Sequence, residues 1–222
     1  METPARIVCY PTPHRAERLA DGVVHLLGVL LGVIGAALLI VFAAMAADGA
    51  SIAAVSVYAG FLLFGLIASA IYHLAPWDGI RPVMRRIDHA AIYLKIAGTY
   101  TPIAVLIGSA FAYVVLAAIW VLAVAGALKK LLFWAKPGRF DPLLYLALGW
   151  ASVLLIWPVA QTLPVAAVVL IVIGGLLYSL GVIVFAREGL RYAMAAWHGM
   201  VLAASSCFFA AIAVGVSSVP VG

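Results

Sequence analysis

Seven long apolar runs, each closed by a turn signal or a knot of charge, dominate this sequence and leave little room for a fold in water. They lie at about 22–47, 51–74, 88–107, 111–128, 142–159, 164–185 and 192–214. At 1.5 Å of rise per residue, a helix of about 20 residues crosses a hydrocarbon layer of ~30 Å, and each run is that long or nearly so. The runs are continuous and do not alternate with polar residues, which excludes a β-barrel. Composition excludes a soluble domain: 67% of the 222 residues are hydrophobic and 9% are charged, against about 25% charged in soluble proteins. The fold class is therefore all-α, a polytopic membrane protein with a seven-transmembrane helix bundle. Residues 1–21 form an N-terminal segment, 22–216 the transmembrane domain and 217–222 a C-terminal tail.

Charge orients the bundle. Arg15 and Arg18 precede the first run, and Arg81, Arg85, Arg86 and nearby Lys95 mark the connection between the second and third. Lys129, Lys130, Lys136 and Arg139 lie between the fourth and fifth, and Arg187 and Arg191 between the sixth and seventh. The intervening connections, at Asp48-Gly49, Gly108-Ser109 and Gln161-Thr162, carry no basic residue. This alternation is what seven spans with a cytoplasmic N-terminus require under the positive-inside rule, in a multi-pass protein of the inner (plasma) membrane. The shortest connection, Gly108-Ser109, divides an apolar stretch of about forty residues that is too long for one crossing. The net charge of +5 is spread over these short clusters, so it indicates no nucleic-acid partner; the partners are membrane lipids. The first run is followed by six others and reads as a true span rather than a cleaved leader. Cys9 in the tail and Cys207 within an apolar run do not suggest a disulfide. Gly28, Gly32, Gly35 and Gly174-Gly175 permit close helix packing, and Pro102 and Pro158 are expected to bend spans three and five.

The few remaining ionisable residues are not scattered. Glu17, Asp21 and His25 follow at four-residue steps and share one stripe of the first helix. His73 ends span two with Ser69 one turn deeper, Asp88 and His89 open span three, and His198 lies two turns into span seven with Met194 one turn before it. The topology puts all these ends on the same side, so they can converge near the cytoplasmic interface. An ionisable group there is costly unless it faces the bundle interior and finds a partner, which makes the cluster a candidate site. Histidines offer neutral nitrogen ligands to zinc, and a carboxylate binds the metal or orients its water. His89 points elsewhere on its helix and reads as structural or interfacial, and His14 belongs to the tail. No charged residue stands near mid-bilayer, which argues against an ion path.

The segments Glu17-x3-Asp21-x3-His25-x2-Gly28, Ser69-x3-His73, Asp88-His89, Gly98-Thr99-Tyr100-Thr101-Pro102, Gly174-Gly175-Leu176-Leu177-Tyr178-Ser179-Leu180-Gly181 and Trp197-His198 together resemble the hemolysin III family. That family is related to the adiponectin receptors (progestin and adipoQ receptors) and the alkaline ceramidases. The resemblance implies seven helices and a zinc held by one histidine of the second helix and two of the last, with a serine and an aspartate nearby. It assigns ligand roles to His73 and His198 and supporting, catalytic roles to Ser69 and Asp88. The sequence departs from that pattern in the last helix, where His-x3-His begins with Met194 and a later histidine is replaced by Phe208. In the first helix Asp21 stands where asparagine is usual. A methionine thioether suits copper(I) better than zinc, so Asp21 is the candidate to replace the lost nitrogen.

Two functions are compatible with this reading. One is a zinc-dependent hydrolase acting on a lipid or amide at the cytoplasmic side, with Asp88 as base and Ser69 at the oxyanion. The other is a non-enzymatic protein of membrane homeostasis or cytolysis, in which the same polar residues tie helices together.

Overall fold

A computed structural model of the chain describes residues 14–77, 79–133, 141–187 and 190–218. The N-terminal residues with Cys9, Asp78, Trp134 to Arg139 of the basic loop, Glu188 and residues 219–222 lie outside the described residues. The helices are α1 (Arg15–Ala46), α2 (Gly49–Leu74), α3 (Arg81–Ile107), α4 (Ala110–Leu132), α5 (Asp141–Trp150), α6 (Ile156–Thr162), α7 (Val165–Phe185) and α8 (Ala193–Ser217). A short 3-10 turn, Ala151–Leu155, joins α5 to α6, and together these make one crossing. Among the described residues seven helical stretches are long and apolar enough to span a membrane. The protein is an all-α, seven-helix membrane-spanning bundle.

The connections are capped as their residues dictate. Asp48 accepts a 2.8 Å hydrogen bond from the Ser51 N–H and starts α2 after a two-residue turn. Gly108 ends α3 in the left-handed conformation (φ 66°), which a residue without Cβ adopts freely. Ser109 then accepts from the Ala112 N–H at 3.2 Å to start α4. A turn of two residues thus separates spans three and four.

Two expectations drawn from hydropathy need correction. Helix α3 starts at Arg81, not at residue 88, so Arg81, Arg85 and Arg86 form its first turns and Asp88 lies about two turns inside. Pro82 explains the start, because its fixed φ and missing N–H suit the first helical turn. Hydropathy marks only the stretch immersed in hydrocarbon, while the helix continues through the polar interface. As a consequence Lys95, grouped by sequence with the basic connection, stands near the middle of α3. A basic residue therefore stands inside a membrane-spanning helix.

The crossings close a ring of which α3 is a member. Helix α1 packs on α2 and α8, α7 packs on α8, and α3 touches α2, α4, the broken fifth crossing and α8. Its spanning window has the largest buried share of the seven, and Ala90, Ala91, Ala97 and Ala104 let the neighbours approach closely. Elsewhere Gly174 allows close contact of α7 with α8, because a Cβ would come within 2.7 Å of the Phe208 ring and 3.3 Å of the Ala204 carbonyl. The interruption of the fifth crossing falls beside Pro158, whose ring conflicts with the carbonyl of Leu154 in a regular helix. Tyr100 of α3 steadies this region, its hydroxyl lying 2.6 Å from the Gly149 carbonyl and 3.1 Å from that of Leu148. Pro102, by contrast, sits inside an α3 that runs without interruption.

Candidate metal centre

One polar cluster lies where α1, α2 and α8 meet. Asp21 and His25 are one turn apart on α1, so both side chains project from one face. His73 enters from the last turn of α2 and His198 from the second turn of α8. Asp21, His25 and His198 are buried, with relative exposures of 8%, 6% and 9%. The His198 Nδ1–H donates to Asp21 Oδ1 at 2.6 Å, which leaves its Nε2 as a lone-pair donor. The other carboxylate oxygen, Oδ2, is 3.6 Å from His25 Nε2 and 3.9 Å from His73 Nδ1. The three imidazoles lean on one another with ring centroids 4.3 to 5.2 Å apart.

The arrangement fits a metal. One ligand atom from each of the four residues can be chosen so that all lie within 4.8 Å of one another. In a tetrahedral zinc site with bonds of ~2.0–2.1 Å, ligand atoms stand about 3.4 Å apart, close to the 3.6 and 3.9 Å edges seen here. His25 Nε2 is the decisive atom, being buried with no hydrogen-bond partner. An orphaned lone pair or N–H in such a place is costly unless something binds it, and a cation at the shared centre would do so. Three nitrogens and one carboxylate suit zinc, although the chemistry alone admits other divalent ions.

The structure brings His73, His198 and Asp21 together, and His25, which the sequence did not single out as a ligand, joins them. The third imidazole is supplied by α1, not by the position of Met194. The signal was present, since His25 shares the stripe of Asp21. Met194 still lines the same cavity, one turn from His198. Ser69 and Asp88 stand beside the cluster but outside the four-residue group. The Ser69 hydroxyl faces the buried Asp88 carboxylate, whose electrostatic neighbours include His25 and Lys95. His89 turns its Nδ1 to the Arg85 carbonyl at 2.8 Å, and Glu17 is half-buried on α1 away from the group. All of Ser69, His73, Asp88 and His198 open on a cavity of about 470 Å³ running inward among the helices.

The family model described as "Haemolysin-III related" matches residues 15–209, a range that contains the whole cluster. The chain belongs to the hemolysin III family. It is 31% identical over 196 residues to the hemolysin-3 homolog of Bacillus subtilis (strain 168), covering 87% of this chain and 91% of that protein. The hemolysin-3 of Bacillus cereus is likewise 31% identical over 194 residues, covering 87% and 89%. A more distant relation reaches the progestin and adipoQ receptor branch. The human monocyte to macrophage differentiation factor is 27% identical over 156 residues, covering 66% of this chain and 63% of its own. For this hemolysin III protein the cluster of His25, His73, His198 and Asp21 is the candidate metal-binding site.

Proposed function

We propose that this hemolysin III protein is a zinc-dependent hydrolase acting on a lipid or amide at the cytoplasmic side of the plasma membrane. The observation that carries the reading is the orphaned His25 Nε2, 3.6 Å from Asp21 Oδ2 in a group of three imidazoles and a carboxylate. His25, His73 and His198 would hold the ion and Asp21 would orient His198, because a fourth protein ligand would leave no position for a water. Zinc bound there supplies a Lewis acid that polarises a carbonyl and acidifies a water. Asp88 accepts the proton of the attacking water and returns it to the leaving group as the bond between acyl carbon and heteroatom breaks. Ser69 orients Asp88 and can turn its hydroxyl toward the developing oxyanion. The largely apolar lining of the cavity would strengthen each of these interactions.

The first test is metal analysis of protein purified in detergent without chelator. About one equivalent of zinc in wild type, lost in the H73A/H198A double variant, supports the reading; metal-free wild type overturns it. A second reading has its own support. The 2.6 Å bond between Asp21 and His198 ties α1 to α8 with no ion needed, as a non-enzymatic protein of membrane homeostasis or cytolysis would require. Rescue of a membrane or lysis phenotype by H25A/H73A, which removes two metal ligands but keeps the Asp21–His198 bond, would favour it.

The charge alternation supports a cytoplasmic N-terminus, with residues 22–216 as the membrane domain. Reporter fusions at Asp48, Ser109, Gln161 and after Val219 should then report the outside, and those at Arg85 and Lys130 the cytoplasm. A cytoplasmic C-terminus would refute this orientation.

A further inference from the structure

Lys95 is a charged group of the cavity that the hydrolytic reading does not use. It stands near the middle of the 27-residue α3, seven residues beyond Asp88 and thus about 10 Å deeper along the axis. Seven residues are close to two full turns, so Lys95 shares the face of Asp88 and lines the same cavity. Its stem is half-buried against Gly65, where a Cβ would sit 3.4 Å from the Lys95 Cδ. Its Nζ lies 5.3 Å from the centre of the Tyr178 ring. Tyr178 is held in place in turn, its hydroxyl 2.9 Å from Ser205 Oγ. Among the described residues no carboxylate comes within 4.0 Å of the ammonium. Asp88 and His198 interact with it only through space.

A cation at this depth normally has an anionic partner, because hydrocarbon offers it no solvation. A ring face replaces part of that solvation, and a full partner is missing. Beyond Lys95 the lining is mostly apolar, with Ile103, Leu155, Val159 and Ile171 beside Thr99, Tyr100 and Ser152. The volume of about 470 Å³ lies within the range of sites for single small molecules. A positive group fixed in an apolar cavity of that size fits one ligand chemistry, an anionic head on a single hydrocarbon chain.

We propose that Lys95 anchors the anionic head, carboxylate or phosphate, of a single-chain amphiphile whose tail fills the apolar part of the cavity. The site needs neither hydrolysis nor a bound metal, so it stands or falls apart from the function proposed above. The test is equilibrium binding of radiolabelled palmitate, hexadecyl phosphate and hexadecanol to the full-length protein in detergent. Wild type, K95M and K95R are compared, each with chelator and with added zinc. The expected result is saturable binding of at least one of the two anions to wild type in both conditions. K95R retains it, K95M weakens it about tenfold or more, and hexadecanol is indifferent to residue 95. The two anions distinguish a carboxylate from a phosphate ligand. Palmitate and hexadecyl phosphate binding to K95M as tightly as to wild type would overturn the proposal. So would hexadecanol matching both anions on wild type, a comparison that holds even if K95M does not fold. Absence of zinc from the protein would sink the hydrolase while leaving this site intact.

Discussion

Replacing His25 by alanine separates the metal reading from a purely structural one. In metal-free protein the substitution removes a buried side chain, and large-to-small changes in cores cost roughly 2–5 kcal/mol. It also removes Nε2, a buried group without a hydrogen-bond partner, whose desolvation costs about 1–3 kcal/mol in the wild type. The two terms oppose each other, so the net loss of metal-free stability should be small, on the order of 1–2 kcal/mol. The effect with zinc should be much larger. Loss of a supporting group outside the ligand set typically costs 10–100-fold in metal affinity, and loss of a ligand should reach at least the upper end. A hundredfold loss corresponds to about 2.7 kcal/mol, and zinc at about 100 times the wild-type Kd stabilises the wild type by a similar ~2.7 kcal/mol. Zinc should therefore raise the unfolding temperature of wild type by several degrees and leave H25A nearly unmoved. Competition with a chromophoric chelator at matched pH measures the affinities directly, with H198A as a control. If H25A and H198A both bind zinc as tightly as wild type, the ion sits elsewhere and the assignment of the cluster is wrong.

Three further predictions follow from the same geometry. Because His25 already supplies a third imidazole, M194H alone should improve zinc affinity by less than about tenfold, or ~1.4 kcal/mol; in the H25A background it should restore much of the lost affinity, and chelator competition on the double variant decides this. Gly126→Ala would push a Cβ to within 2.7 Å of the Tyr93 ring and should cost about 1–3 kcal/mol by overpacking, whereas Gly60→Ala, with nothing within 4 Å, should unfold like wild type in detergent. The Ser51 N–H holds the exposed Asp48 carboxyl below the usual carboxylate range. Its folded value is depressed, so its stabilisation of α2 is present above the unfolded value and lost as pH falls through the folded one; D48A should be less stable than wild type at neutral pH, and thermal unfolding across a pH series should show the two converging in acid.

The number of crossings was legible in the sequence because it depends on local quantities. Apolar length is set by the thickness of hydrocarbon, and Asp48, Gly108 and Ser109 cap their helices through contacts a few residues away. The family resemblance was legible for a similar reason, through short motifs spread along the chain. Even the convergence of His73, His198 and Asp21 could be anticipated, since topology alone brings their helix ends to one side. The rest required the tertiary structure. Hydropathy could not reveal that α3 begins at Arg81 and carries Lys95 to its middle, because the charged first turns lie where a helix leaves the hydrocarbon. Pro158 suggested a bend, but the 3-10 turn at Ala151–Leu155 and the Tyr100 hydroxyl beside it involve a helix some fifty residues away. His25 is the clearest case. Its spacing from Asp21 shows only that the two share a stripe. Whether that stripe meets His73 and His198 or faces lipid depends on how far α1 is rotated about its own axis. That rotation is set by packing against α2 and α8, and no local pattern in α1 records it.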